Sequence, residues 1–439
     1  MTTETLPTAP ATSRTAGMRM AVEAAPTTDA GATAPSRILG LRCRNCQRLT
    51  DLGPQFVCAA CFGPLEVAYD LASIALDRAT IASRPAGIWR YLELLPVEAK
   101  PARALAVGST PLVESDVLAE RLGVRRVHLK DDSRNPTLSF KDRAVALATA
   151  KALDFGFEAL ACASTGNLAG ATAAAAAKVG LPAYVFIPAD LEPEKIEHAL
   201  AYGATVVPIE GTYDDVNRLC LELTDEENWA FVNVNLRPYY AEGSKTLGFE
   251  IAEQLGFELP DRVVVPVASG SLFTRIARGF EEWLEVGILS GELPVFNGAQ
   301  AEGCSPVAQA FAEGNEICRP VKPDTIAKSL AIGNPADGVF ALDLARRTGG
   351  GIDAVTDEEI VDGIRLLAET TGIFTETAGG VTTAVLKKLA ERGDIGADER
   401  VVLVITGEGL KTLDAVRDVV SVERVKPTAA SFTESVLVA

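Results

Sequence analysis

No apolar run in this chain of 439 residues approaches the roughly 18 that a membrane-spanning helix needs, so no membrane partner is expected. Basic side chains are in deficit: 41 Lys and Arg face 59 Asp and Glu, a net charge of −18. So acidic a surface offers little to a phosphate backbone, and a nucleic-acid partner is not expected. Nor is there a secreted disulfide framework. Cys162, Cys220, Cys304 and Cys318 are scattered through apolar stretches and read as small core residues, which places the protein in a reducing cytoplasm. Residues 1–36 are Ala, Thr, Pro and Ser with few side chains large enough to bury surface, and they read as a disordered tail. Glu4, Glu23 and Asp29 argue against a transit peptide there. No short-period repeat is visible.

What remains is ample for a core. Of the chain, 48% is hydrophobic, and its length predicts two or three folded units. The first lies around Cys43-Arg-Asn-Cys46 and Cys58-Ala-Ala-Cys61, two pairs of thiols on knuckles joined by a short hairpin. Four thiolates so gathered suit tetrahedral zinc in a small ribbon, with a metal-free remnant as the alternative. Its expected role is structural, pinning the N-terminus to the main body.

From Ala159 the chain alternates. Strands are predicted at Ala159–Ala163, Ala183–Ile187 and Thr205–Ile209, with helices at Leu168–Val179, Glu194–Tyr202 and Thr212–Leu223 between and after them. A second series adds a helix from Gly243 to Leu255, strands Arg262–Val267, Val295–Ala301 and Val401–Ile405, and a helix over Leu272–Val286. Thr356 with Glu359 forms a capping box before another helix. Buried strands alternating with helices predict two doubly wound α/β domains, with ligands at the carboxyl ends of the strands in a cleft between them.

Four strand-to-helix junctions carry chemistry. Asn135-Pro-Thr-Leu-Ser-Phe-Lys141-Asp-Arg143 places Lys141 where a turn meets a helix; the helix's positive end disfavours an ammonium and predicts a reactive amine. Ser164-Thr165-Gly166-Asn167 offers hydroxyls, an amide and free N–H groups to an anion. Ala268-Ser269-Gly270-Ser271-Leu272 is small enough for its backbone to cradle a phosphate. Thr406 ends a strand with a hydroxyl facing the cleft. Together these handles suit the aldehyde, phenolic oxygen, phosphate and ring nitrogen of pyridoxal phosphate.

With Glu242-Gly-Ser-Lys-Thr246, Ala378-Gly-Gly380 and Thr406-Gly-Glu-Gly-Leu-Lys411 added, residues from about Leu41 to Leu413 resemble the threonine synthases, fold-type II pyridoxal-phosphate enzymes with an N-terminal ribbon. The resemblance implies that Lys141 holds the cofactor as a Schiff base beside Phe140, that Asn167 contacts the phenolic oxygen and that Thr406 faces the pyridine nitrogen. It implies too that Ala268, Ser269, Gly270, Ser271 and Leu272 bind the phosphate, although many family members carry a Gly-Asn-rich loop there. A hydroxyl partner makes the ring a weaker electron sink than a carboxylate would, which favours elimination and replacement over transamination.

The implied substrate is O-phospho-L-homoserine, converted with water to L-threonine and phosphate. Ser164 and Thr165 are the candidates for its carboxylate, and Asn235, Arg237, Lys245 and Arg143 for its phosphate. Expected divisions are a tail over 1–36, the ribbon over 37–70, a large domain over 71–150 and 240–425, a small one over 151–239 and a tail over 426–439; a homodimer is expected. Two alternatives remain within this chemistry, a cysteate synthase-like replacement on O-phosphoserine and a serine/threonine dehydratase, the latter weakened by the ribbon and by the lack of a C-terminal regulatory domain. A non-catalytic cofactor-binding or ribbon-mediated interaction protein is a third.

Overall fold

The computed structural model describes residues 37–164, 166–189, 197–211, 213–419, 422 and 424–437. The tail expected over 1–36 and the candidate Thr165 lie outside the described residues.

In chain order the elements are β1 (Ile38–Cys43), β2 (Leu49–Thr50), β3 (Leu65–Tyr69), α1 (Arg78–Ser83), β4 (Leu112–Glu114), α2 (Asp116–Leu122), β5 (Arg126–Asp131) and α3 (Lys141–Asp154). There follow β6 (Ala159–Ala163), α4 (Asn167–Val179), β7 (Ala183–Pro188), α5 (Glu197–Ala201), β8 (Thr205–Ile209), α6 (Tyr213–Glu226), β9 (Trp229–Phe231) and α7 (Arg237–Gln254). The remainder is β10 (Arg262–Pro266), α8 (Ser271–Glu285), β11 (Val295–Ala301), α9 (Pro306–Ala312), α10 (Gly338–Arg347), β12 (Gly351–Val355), α11 (Asp357–Thr371), α12 (Thr377–Glu391) and β13 (Arg400–Ile405).

Three sheets result. The first is antiparallel, in the order β2-β1-β3, with Leu41 opposite Val67. The second has six strands in the order β12-β11-β10-β13-β5-β4, all parallel except the antiparallel edge strand β4. The third is parallel, in the order β8-β7-β6-β9. Every residue of β6 and β10 is buried, the continuous apolar signature of strands covered on both faces.

The predicted elements appear with small shifts. The helix expected from Gly243 begins a turn and a half earlier, at Arg237, because Pro238 in its first turn fits a helix start. Thr356 and Glu359 form the predicted capping box, each side chain bonding the other's backbone N–H. The stretch expected as a C-terminal tail carries a short helical turn at Ala429–Phe432, capped by Thr428.

α7 runs through the middle of the molecule, and two glycines let its neighbours approach backbone to backbone. A Cβ on Gly243 would lie 2.1 Å from the carbonyl oxygen of Arg143 in α3, and one on Gly248 would lie 2.4 Å from that of Ile276 in α8. No larger residue fits either contact.

Candidate active site

β10, β13 and β5 are adjacent parallel strands, so the loops leaving their carboxyl ends lie side by side. From β5 the chain turns through Asn135–Leu138, with Leu138 in the left-handed conformation (φ 62°) and its N–H bonded to Asn135 O at 2.8 Å. It then enters α3 at Lys141. From β13 it delivers Thr406, and from β10 the residues Ala268–Gly270 that precede α8. Phe140 N–H donates to Thr406 O at 2.9 Å, and Glu376 N–H to Gly407 O at 3.1 Å, so the three segments around 140, 376 and 407 are stitched together.

Lys141 is half-buried. Its Nζ donates to Tyr240 Oη at 2.8 Å and stands 4.6 Å from the centre of the Phe140 ring. Asn167, arriving from β6 in the other parallel sheet, donates through Nδ2 to Glu376 Oε2 at 2.8 Å. Thr406 Oγ1 donates to Glu376 Oε1 at 3.2 Å. Lys411 Nζ reaches Asn167 Oδ1 at 2.8 Å and Thr137 O at 2.5 Å. Asn167 and Thr406, which the resemblance pairs with the phenolic oxygen and the nitrogen of one ring, thus share a carboxyl group. Burial pushes that Glu376 carboxyl up, against the pull of Asn167 and Lys411.

Glu376 and Tyr240 were not read from the sequence as site residues. Glu376 precedes the matched Ala378-Gly-Gly380 stretch, and its position there was the one signal available. Tyr240 precedes the Glu242 motif in the same way, with no pattern of its own.

The remaining candidates divide. Ser164 Oγ accepts from Gly166 N–H at 3.3 Å, keeping it on the loop before Asn167. Arg237 Nη2 donates to Asp337 Oδ2 at 3.0 Å, one helical turn before Tyr240 on α7. Asn235 is buried, and its Nδ2 is used on Trp229 O at 3.1 Å.

Arg143 and Lys245 need correction as substrate ligands. Arg143 is 0% exposed, and its guanidinium grips Asp132 at 2.7 and 2.8 Å and Glu250 at 2.9 and 3.0 Å. Lys245, equally buried, pairs with Glu242 and with Glu282 at 2.8 Å. With their donors committed to buried carboxylates, neither has a face for a substrate phosphate; sequence position could not distinguish a cleft cation from an internal one.

The loop after β10 ends on Gly270, whose φ of 92° favours glycine, and opens the fifteen-residue helix α8 with small residues at its positive end. Ser139 Oγ and Thr377 Oγ1, flanking the stitched segments, are buried without a hydrogen-bond partner among the described residues. Such orphaned donors beside a half-buried lysine fit a polar cofactor in the cleft.

The cysteines also meet. The Sγ atoms of Cys43, Cys46, Cys58 and Cys61 lie within 4.8 Å of one another. Cys46 N–H and Ala60 N–H point at Cys43 Sγ (3.5 Å) and Cys58 Sγ (3.4 Å), as in a zinc knuckle. Hydrogen bonds from the backbone at Ala60 and Cys61 draw the Cys58 thiol down to about 7. The donor set fits a structural metal.

A family model described as pyridoxal-phosphate dependent enzyme matches residues 103–407. A threonine synthase of Methanosarcina acetivorans is 41% identical over 366 residues, covering 83% of this chain and 90% of the relative. Another, of Methanocaldococcus jannaschii, is 39% identical over 379 residues, covering 85% and 93%. The solved structure of a processed threonine deaminase isoform from Solanum lycopersicum superposes with a TM-score of 0.61 at 22% identity, over 77% of this chain and 96% of that one, a likeness of fold. Sequence and fold converge: the chain belongs to the pyridoxal-phosphate dependent enzymes and, within them, to the threonine synthase family.

Proposed function

We propose that this chain converts O-phospho-L-homoserine and water to L-threonine and inorganic phosphate, by γ-elimination followed by β-addition. The observation that carries the reading is the meeting of Asn167 and Thr406 on Glu376, beside Lys141, whose neighbour Phe140 bonds Thr406 O, at the mouths of strands from both parallel sheets in a chain of this family. Lys141 is the covalent anchor, Asn167 and Thr406 orient the ring, and residues 268–272 hold its phosphate. Bound pyridoxal phosphate supplies the electron sink that makes a carbon-bound proton removable.

The chain's own residues supply the rest. Lys141, once its amine is free, takes a proton at the α carbon, must give that proton up again, and only then as the neutral amine takes one at the β carbon, held in aim by Tyr240 Oη. Ser164 and Thr165 take the substrate carboxylate, and Arg237 is the cation left for the substrate phosphate, with Asn235 as a neutral donor behind it. Thr406, with no charge of its own, does not stabilise a protonated ring nitrogen, and the weaker electron sink favours elimination over transamination.

The domain division follows the same reading: a ribbon over 37–70, a large domain over 71–150 and 240–425, a small one over 151–239 and tails at either end. No helix among the described residues is long and apolar enough to cross a membrane. A cytoplasmic homodimer completes the assignment. The test is phosphate release from O-phosphohomoserine with threonine formation by purified protein. Turnover of O-phosphoserine with sulfite in its place, or of unphosphorylated serine or threonine, would overturn the substrate assignment.

A further inference from the structure

The proposed chemistry leaves the four-cysteine module without a task, yet the structure ties it to the phosphate loop. Arg44 lies inside the first knuckle, between Cys43 and Cys46. Its Nη1 donates to Asp337 Oδ1 at 2.9 Å, and its guanidinium covers the Phe340 ring 3.5 Å from the centroid. Asp337 in turn holds the loop from behind. Its N–H donates to Ser269 O at 2.8 Å, and a Cβ on Gly270 would come within 2.8 Å of its carbonyl oxygen. Its second carboxylate oxygen accepts from Arg237. One aspartate therefore joins the ribbon, the loop before α8 and the proposed substrate cation.

Within the ribbon, Arg44 N–H donates to Pro64 O at 2.9 Å and its Nε lies 3.6 Å from Glu66 Oε2, so its place depends on the shape of the knuckle. The strands β1 and β3 are seated on the main core through Leu41, Leu65, Val67 and Tyr69, but the knuckle that carries Arg44 is a turn between cysteines, and a metal shared by the four thiols would fix its shape. We infer that Arg44 and Asp337 are positioning residues for the cofactor's phosphate, and that metal held by Cys43, Cys46, Cys58 and Cys61 keeps Arg44 in place to do it. This rests on reading residues 268–272 as the phosphate loop.

The test compares two ligands on the full-length protein freed of cofactor: pyridoxal phosphate, and pyridoxal, which lacks the phosphate. Each is titrated by its Schiff-base absorbance. Arg44→Ala should raise the Kd of pyridoxal phosphate about tenfold. It should leave that of pyridoxal within about twofold of wild type. Arg44→Lys, which keeps the charge but loses the planar fork, should fall between. Stripping wild-type protein with a chelator should reproduce the phosphate-specific loss, Zn²⁺ should reverse it, and stripping Arg44→Ala should add nothing.

An unchanged affinity in Arg44→Ala, or equal weakening of both ligands, would overturn the positioning role. Should that variant not fold, Arg44→Lys decides by the same comparison. Undiminished binding of pyridoxal phosphate by stripped wild type would overturn the part given to the metal. Gly270→Val separates the underlying reading: if it weakens both ligands alike, residues 268–272 are not the phosphate loop, whereas a phosphate-specific loss there but not in Arg44→Ala rejects the clamp alone.

Discussion

Tyr240 Oη accepts a hydrogen bond of 2.8 Å from Lys141 Nζ, joining α7 to the first residue of α3. An amine that must be reached by a ring aldehyde and then aimed at two neighbouring carbons needs such a guide. Tyr240→Phe removes the acceptor and little else. Its expected result is an intact Schiff-base absorbance with kcat lowered about tenfold, since aim is lost but the base is kept. Unchanged kcat in steady-state assays would remove Tyr240 from the reaction.

Lys141→Ala goes further. Among the described residues the side chain makes no ion pair and hydrogen-bonds to Tyr240 alone, so the fold should survive with less than about 1 kcal/mol lost. The band that borohydride reduction erases in wild type should be missing, and turnover should fall by about 10⁴-fold. Spectra and circular dichroism on one preparation check both halves.

Arg143 and Arg237 should separate stability from binding. Arg143→Ala leaves Asp132 without its buried cation and Glu250 with Lys130 alone, a change expected to cost about 3–5 kcal/mol in urea unfolding. Arg237→Ala, at a partly exposed side chain, should cost no more than about 1 kcal/mol and instead raise KM for the phosphorylated substrate about tenfold. The opposite pattern would return Arg143 to the substrate.

Asp142 should give stability a pH dependence. Burial lifts its carboxyl from 3.8 to about 6, against the hydrogen bonds it accepts from Thr137 N (2.7 Å) and Oγ1 (2.8 Å). A carboxyl raised in the folded state stabilises fully below its unfolded pKa and loses that contribution as pH climbs through the folded one. The wild-type unfolding free energy should therefore carry a falling component worth about 3 kcal/mol between about pH 4 and pH 7. Asp142→Asn can still accept from Thr137 and should lack that component. An equal fall in both proteins would place the titration elsewhere.

Much of the fold was legible because its strands are short apolar or β-branched runs set off by turn residues, most of them buried on both faces, although the edge strand β8 is not. Ala159–Ala163, Thr205–Ile209 and Val295–Ala301 are runs that stand out between turns, and they match β6, β8 and β11 residue for residue. β4, β9 and β12 were not read, being short or at sheet margins, where pairing to a neighbour rather than apolar content defines the strand. The site was legible where a residue type suits a ligand group, as with Lys141. It was opaque where one protein side chain answers another: Glu376 matters through Asn167 and Thr406, and Arg143 through Asp132 and Glu250, relationships that exist only once the chain has folded.

The two glycine contacts of α7 have a dimensional meaning. α3 begins at the lysine read as taking the aldehyde, α8 begins at the loop read as taking the phosphate, and both are seated on α7 with no side chain between. The interval between the two ends of the cofactor is thus gauged by main chain, like the jaws of a caliper set on one bar. A side chain at Gly243 or Gly248 would reset that gauge from more than a helical turn away, spoiling the fit of a ligand it never touches.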